Sequence, residues 1–408
     1  GEIHPLNITI PGWPEQINDM FNGEYSGPIG PWDPAAYPEW EATHQSIGGL
    51  LDLFREATRY ERYACPLFVP QNGEGFPPLV SCLLPSLGAH RAMTKATLAD
   101  AWRAEDGTVP PERIADAMET CLRNANHMQQ GNTVIHQLVG ITEQALVESN
   151  ALKALEHQVF RTREQMEAAL NTLRQYDRYD AAAGVSNWLP LEHAAALDSV
   201  QWLCRSGPDG QPALNPERAR NYFSLALMDD AESAAIHEKV NRLAALSPDQ
   251  VRQAVDVLDS QFRELQEKWR IGYPQVRASD IDQLVVNNDQ TNAFGREFVP
   301  SLARAYHLMA RNEATRRATQ LTYEVHLYKT RNGRWPSSLD DLGLPAGDRT
   351  RTDPFTGGDF GYRLGEGGPT IYTLSENGRD DGGVHSQNWA SNDDPNASDD
   401  YVFWPPQK

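Results

Sequence analysis

Apolar residues in this chain recur every three or four positions over most of its length, the period that lines one face of a helix. Ile47, Leu50, Leu51 and Phe54 form the first stripe, ahead of Cys65-Pro66. A second segment starts at Pro85-Ser86 and carries Leu87, Met93, Leu98, Ala101 and Trp102. Pro110-Pro111-Glu112 then puts proline in a first helical turn, followed by Ile114, Ala117, Met118, Cys121, Leu122, Ala125 and Met128 on one face. Gly131 stops that helix, and Val134, Leu138, Ile141, Ala145, Leu152 and Leu155 mark the next. The short connection predicts an antiparallel helical hairpin. Met166, Leu170, Leu173 and Tyr176 mark a third helix.

Further along, 184–187 reads as a breaker, the stretch from Leu191 to Cys204 as helix, and 206–212 as a loop rich in Gly and Pro. Asn215-Pro216-Glu217 opens another helix. Ser247-Pro248-Asp249-Gln250 predicts a capping box, with Val251, Val255, Leu258, Phe262, Leu265 and Trp269 as the apolar stripe behind it. The last helix, around 302–331, would reach up to about 45 Å and stop at Gly333 and Pro336. No fixed repeat period appears, so the pattern predicts an irregular helical domain rather than a solenoid.

Residues 1–40 differ. Pro11-Gly12-Trp13-Pro14, Gly27-Pro28, Pro31-Trp32-Asp33-Pro34 and Tyr37-Pro38 exclude a long helix or a central strand. The aromatics suit a strap lying over the helical body, or a sugar- or peptide-binding platform.

A chain of 408 residues with 40% hydrophobic and 23% charged content is that of a globular protein. The net charge of -20 argues against nucleic acid and against electrostatic docking on anionic lipid. No run approaches about 18 apolar residues, so no membrane-spanning segment is expected. The chain opens at Gly1-Glu2-Ile3-His4, as one trimmed of an export segment would. The expectation is an exported, periplasmic or extracellular protein with a removed N-terminal segment as its candidate anchor. Cys65, Cys82, Cys121 and Cys204 form no CxxC, which argues against zinc and leaves two disulfides or four buried thiols. Cys65 with Cys82 is the first pairing to consider, since the sequence between them is broken by Pro and Gly.

Catalytic signatures are missing. The chain has no Gly-rich phosphate loop, no Gly-x-Ser-x-Gly and no His-Glu-x-x-His. His127 and His136 flank a helix turn and read either as metal ligands or as surface or hydrogen-bonded histidines.

The C-terminal quarter carries the readable chemistry. A helix through Tyr323-Glu324-Val325-His326-Leu327-Tyr328-Lys329 runs into Asn332-Gly333-Arg334-Trp335-Pro336. Asp353-Pro354-Phe355, Phe360-Gly361-Tyr362-Arg363 and Leu374-Ser375-Glu376-Asn377-Gly378-Arg379-Asp380 follow, and Asp399-Asp400-Tyr401-Val402-Phe403-Trp404 closes the set. This order resembles the C-terminal globular part of the type II secretion major pseudopilin over about residues 303–404. The resemblance implies a calcium loop with ligands from Leu374, Asn377, Asp380, Asp399 and Asp400. Calcium takes six to eight oxygens, so two carbonyls and three carboxylates are chemically suitable. A solvated acidic loop without an ion is the alternative.

Two departures stand beside the likeness. The helix before Asn332 carries Arg304, Arg311, Glu313, Arg316 and Arg317, which excludes the apolar filament seam of true pseudopilins. The stretch between Val384 and Ser398 adds Asp393, Asp394 and Asn396 as further oxygen donors. The stretch 126–141 also resembles a segment of large uncharacterised secreted bacterial proteins, which brings no activity with it.

The expected fold class is therefore mainly α, an irregular helical-hairpin domain followed by a small α+β pseudopilin-like module. The expected organisation is an extended arm at 1–40, a helical domain at 41–295 and the module at 296–408. The expected function is a non-enzymatic exported envelope protein of structural or interaction type, with a protein partner at the envelope. An envelope hydrolase using acidic residues in a groove of the helical domain is the alternative.

Overall fold

The computed structural model describes residues 30–64, 79, 84, 86–177, 181–206, 210–227, 233–277, 280–281, 283, 292–386, 389 and 398–407. Most of the strap at 1–40, the Cys65–Cys82 pairing, part of the 206–212 loop and Asp393, Asp394 and Asn396 lie outside them.

The fold is mainly α-helical with a small three-stranded antiparallel sheet near the C-terminus. In chain order the helices are α1 Pro38–Ala57, α2 Ser86–Ala101, α3 Pro111–Gln129, α4 Val134–Glu156, α5 Arg163–Tyr176, α6 Ala181–Leu203, α7 Pro216–Leu227, α8 Ala234–Ala244, α9 Pro248–Ile271 and α10 Gly295–Asn332. Strands β1 Cys204–Ser206 and β2 Pro212–Leu214 form a short ribbon, and β3 Gly361–Gly365, β4 Gly368–Thr373 and β5 Tyr401–Trp404 form the sheet.

The local signals that set helix ends act as expected. Pro111 begins α3, directly after Pro110. Thr133 caps α4 by accepting from the His136 amide at 3.2 Å, and the 130–133 connection folds α3 and α4 into the predicted antiparallel hairpin. At Gly140 the two helices approach so closely that a Cβ would lie 2.8 Å from the Ala125 carbonyl oxygen. Ser247 and Gln250 form a reciprocal capping box at α9. Ser247→Ala should therefore lower stability by about 1 kcal/mol in urea unfolding, and an unchanged midpoint would show the cap to be idle.

One boundary differs from the sequence reading. The breaker at 184–187 lies inside α6, which also contains Pro190. Burial overrides the local signal, because Trp188 and Leu189 on this helix sit in a core built by α6, α7, α8, α9 and the first half of α10. Cys204 leaves the helix and starts β1.

A second large core gathers α2, α3, α4, α5, the rest of α10 and the sheet. The N-terminal half of α10 supplies Val299, Leu302, Tyr306 and Met309 to the first core. Its C-terminal half supplies Ala314, Ala318, Leu321 and Val325 to the second. This 38-residue helix, about 57 Å long at 1.5 Å per residue, is the beam on which both halves are built. A smaller cluster of Ile47, Leu51, Phe54 and Met93 joins α1 to α2. Trp32, at the described end of the strap, is buried and donates its indole N–H to the Ala99 carbonyl at 2.8 Å.

The sheet order is β3-β4-β5. Tyr372 on β4 faces Gly361 on β3 and Val402 on β5, with a register irregularity between Ile371 and Tyr372. Ile371, Phe403 and Trp404 turn into the core against α10. No described helix is long and apolar enough to cross a membrane.

Candidate metal centre

Strand β4 leads directly into a tight loop, and β5 returns beside it. Ser375 takes φ +51°, and Gly378, Gly382 and Gly383 also have positive φ. At Gly383 glycine is required twice over: φ is +69°, and a Cβ would lie 2.9 Å from the Tyr372 ring. This curvature aims successive amides at the start of β5. Asp400 Oδ2 accepts from the Asp381 amide at 3.0 Å and the Gly383 amide at 2.9 Å. Asp399 Oδ2 accepts from the Asn377 amide at 3.0 Å.

Each of these two aspartates has its second oxygen left over. Asp399 is 8% exposed and Asp400 0%, and Oδ1 of each is buried without a hydrogen-bond partner. Ligand oxygens of Asp381, Asp399 and Asp400 lie within 4.8 Å of one another. Burial, with Asp381 and Asp380 nearby, pushes the Asp400 carboxyl up to about 6. Burial raises Asp399 too, with Asp381 and Glu376 adding repulsion. Asp381 is held low by the Arg379 guanidinium, whose Nε donates at 2.6 Å.

Two like charges at 4 Å repel by about 1 kcal/mol in water and about 4 kcal/mol at an effective dielectric of 20. Amides offset part of this, but the two bare oxygens call for a cation or a proton. An all-oxygen set suits a hard divalent ion.

The five residues expected from sequence are distributed unevenly. Asp399 and Asp400 belong to the trio. Asp380 does not: it is exposed, and its Oδ1 accepts from the Gly382 amide and the Tyr372 hydroxyl, both at 2.8 Å. Asp381 stands in the trio instead. The signal was in the sequence, because Asp-x-Gly favours a turn in which the aspartate caps the amide two residues on. Asn377 adjoins the trio through its amide, and Leu374, just past the end of β4, donates its amide to Asp353 at 3.0 Å.

The other candidates have structural partners. His127 Nε2 lies 2.6 Å from the Tyr60 carbonyl oxygen, and His136 Nδ1 lies 2.7 Å from Thr133 Oγ1. Cys121 and Cys204 are free thiols; burial pushes Cys121 well up and Cys204 to about 11. A cavity of about 330 Å³ between α9, α10 and the 352–357 turn includes Glu313 and Asp353. Glu313 pairs with Arg317, and Asp353 accepts from the Phe355 and Leu374 amides and from Thr373 Oγ1. A larger one of about 660 Å³, beside Tyr60, Arg123, Asn126 and Tyr176, has Glu61 as its lining carboxylate.

No protein-family model, curated protein or solved structure matches this chain.

Proposed function

We propose that this is an exported envelope protein of structural or interaction type, whose C-terminal loop is pinned to the last strand by calcium. The observation that carries the reading is the pair of buried, partnerless Oδ1 atoms on Asp399 and Asp400, with Asp381 beside them. A calcium ion there would offset two of the three carboxylate charges and cross-link residues 19 apart in sequence, Asp381 and Asp400. Asn377 and Leu374 would supply carbonyl oxygens, as the pseudopilin likeness implies. The order of α10, turn, β3–β4 hairpin, acidic loop and β5 supports that likeness. Its rigid sheet and helical body would meet a protein partner at the envelope.

Calorimetric titration of the full chain should find one calcium site, lost in Asp400→Asn and retained in Asp380→Asn. Binding that survives Asp400→Asn, or no binding heat in the wild type, would reject the site. Recovery of the native protein from the cytoplasm alone would reject export.

A further inference from the structure

The loop that carries the aspartates also reaches the helical body, and Glu376 makes that contact directly. Glu376 lies between the loop's entry from β4 and Asn377. It is joined directly to the site, because the amide of the next residue donates to the Asp399 carboxylate at 3.0 Å. Its side chain points to the other half of the molecule. Glu376 Oε1 accepts from the Tyr273 hydroxyl at 2.8 Å and lies 2.7 Å from His307 Nδ1 on α10. The Glu376 carbonyl accepts from Arg277 Nη1 at 2.8 Å.

Tyr273 and Arg277 belong to the segment that follows α9. The Val276 amide donates to the Gly272 carbonyl at 3.1 Å, and the Val276 carbonyl accepts from the Tyr306 hydroxyl at 2.9 Å. Tyr273 stacks on Tyr306 with ring centroids 4.9 Å apart and meets Phe355 edge-on at 5.2 Å. The neighbouring residue Ser375 is also tied, accepting from the Trp389 indole N–H at 2.9 Å, with the Arg311 guanidinium of α10 4.4 Å from the Trp389 ring centroid.

We infer that cation binding at the aspartate site latches the 272–277 segment of the helical body onto the C-terminal module, with Glu376 as the positioning residue that transmits it. The inference rests on the calcium reading of the site. Its physical basis is linkage. Without the ion, repulsion among Asp381, Asp399 and Asp400 favours opening of the loop, and the Glu376 contacts to Tyr273, Arg277 and His307 open with it. With the ion, the loop is fixed and those contacts persist. Coupling of this kind is reciprocal, so breaking the latch must weaken calcium by the factor by which calcium strengthens the latch.

Hydrogen exchange of the full chain, with calcium titrated calorimetrically in parallel, tests it. Saturating calcium should slow exchange at 374–386 and also at the Val276 amide, the latter by at least about fivefold, the lower end of typical coupling. In Glu376→Ala, calcium should still bind, more weakly by a comparable factor, and should protect the loop but no longer Val276. Glu376→Gln retains an acceptor oxygen and should restore most of the protection, which separates a latch from a mere loss of charge near the site. Calcium binding with a protected loop and an unchanged Val276 amide would overturn the latch and leave the metal site standing. Full protection of Val276 in Glu376→Ala would overturn it as well. Absence of calcium binding would remove the site and the latch together.

Discussion

The stability that calcium adds to this protein should shrink as the pH falls from 7 to 5. Asp400 is the reason. Its carboxyl is raised from 3.8 to about 6 in the fold, so the folded state holds a proton more tightly than the unfolded chain. A raised acid contributes stability that is complete below the unfolded value and is lost as the pH rises through the folded one. For one such group, acidification from pH 7 to 5 adds about 1.3 kcal/mol. Asp399 acts in the same direction.

At the proposed site calcium would compete with that proton. For a site with a dissociation constant of about 10 μM in about 1 mM calcium, the ion adds roughly 2.7 kcal/mol at pH 7. Proton competition cuts this to about 1.4 kcal/mol at pH 5. At this site the two slopes cancel, so the gap in stability between calcium-saturated and chelated protein should narrow by about 1.3 kcal/mol over this range. Urea unfolding followed by tryptophan fluorescence can measure both limbs, because Trp389 and Trp404 lie in the module's core. A gap that does not narrow on acidification would contradict the raised Asp400, and indifference to calcium at pH 7 would contradict the metal.

Arg316→Ala should strongly destabilise the helical body, costing about 3–5 kcal/mol. Arg316 is 1% exposed in the middle of α10, where its guanidinium pairs with Asp177 just after α5. Gln320 Nε2 donates to the other Asp177 oxygen at 2.9 Å. Glu148 on α4 is also buried nearby, its carboxyl pushed up to about 8 by burial, against the opposing pull of Thr319 and Arg316. Removing the guanidinium leaves Asp177 with less compensation, and an uncompensated buried charge costs more than the pair is worth. The double change Arg316→Met with Asp177→Leu should recover much of the loss, since an apolar pair leaves no charge stranded.

Glu148 adds a pH signature of its own. Its contribution is full below about 4.5 and is lost as the pH rises through about 8, so stability should decline between pH 7 and 9. Glu148→Gln should flatten that decline. A wild-type-like Arg316→Ala, or an unchanged alkaline limb in Glu148→Gln, would show that the network is wetter than its burial implies.

These networks explain why parts of the structure were hard to foresee. Glu143, Glu148, Asn124 and Arg316 are polar residues in polar helical sequence, yet each is buried. Nothing within one helix distinguishes a buried arginine from a solvated one, since the difference arises when α10 crosses α4 and α5. The α6 boundary is a similar case. Gly184, Pro190 and their neighbours weaken a helix locally, but burying Trp188 and Leu189 outweighs that penalty.

The sequence by itself determined what is settled within a few residues along the chain. Those are the helical periods, the proline and capping-box starts, the stop of α10 at Gly333, and an acidic, glycine-rich loop before a final strand. Caps and periods act through contacts at three- and four-residue spacing, so no distant partner is needed to read them. Only the tertiary structure decided which carboxylates meet. Asp381 joins Asp399 and Asp400 because β5 pairs with β4 and brings the two residues before it under the loop's amides. Asp380, one residue away, is diverted by Gly382 and Tyr372. A long-range strand pairing and a two-residue turn together select the trio, and neither composition nor motif order contains the first of these.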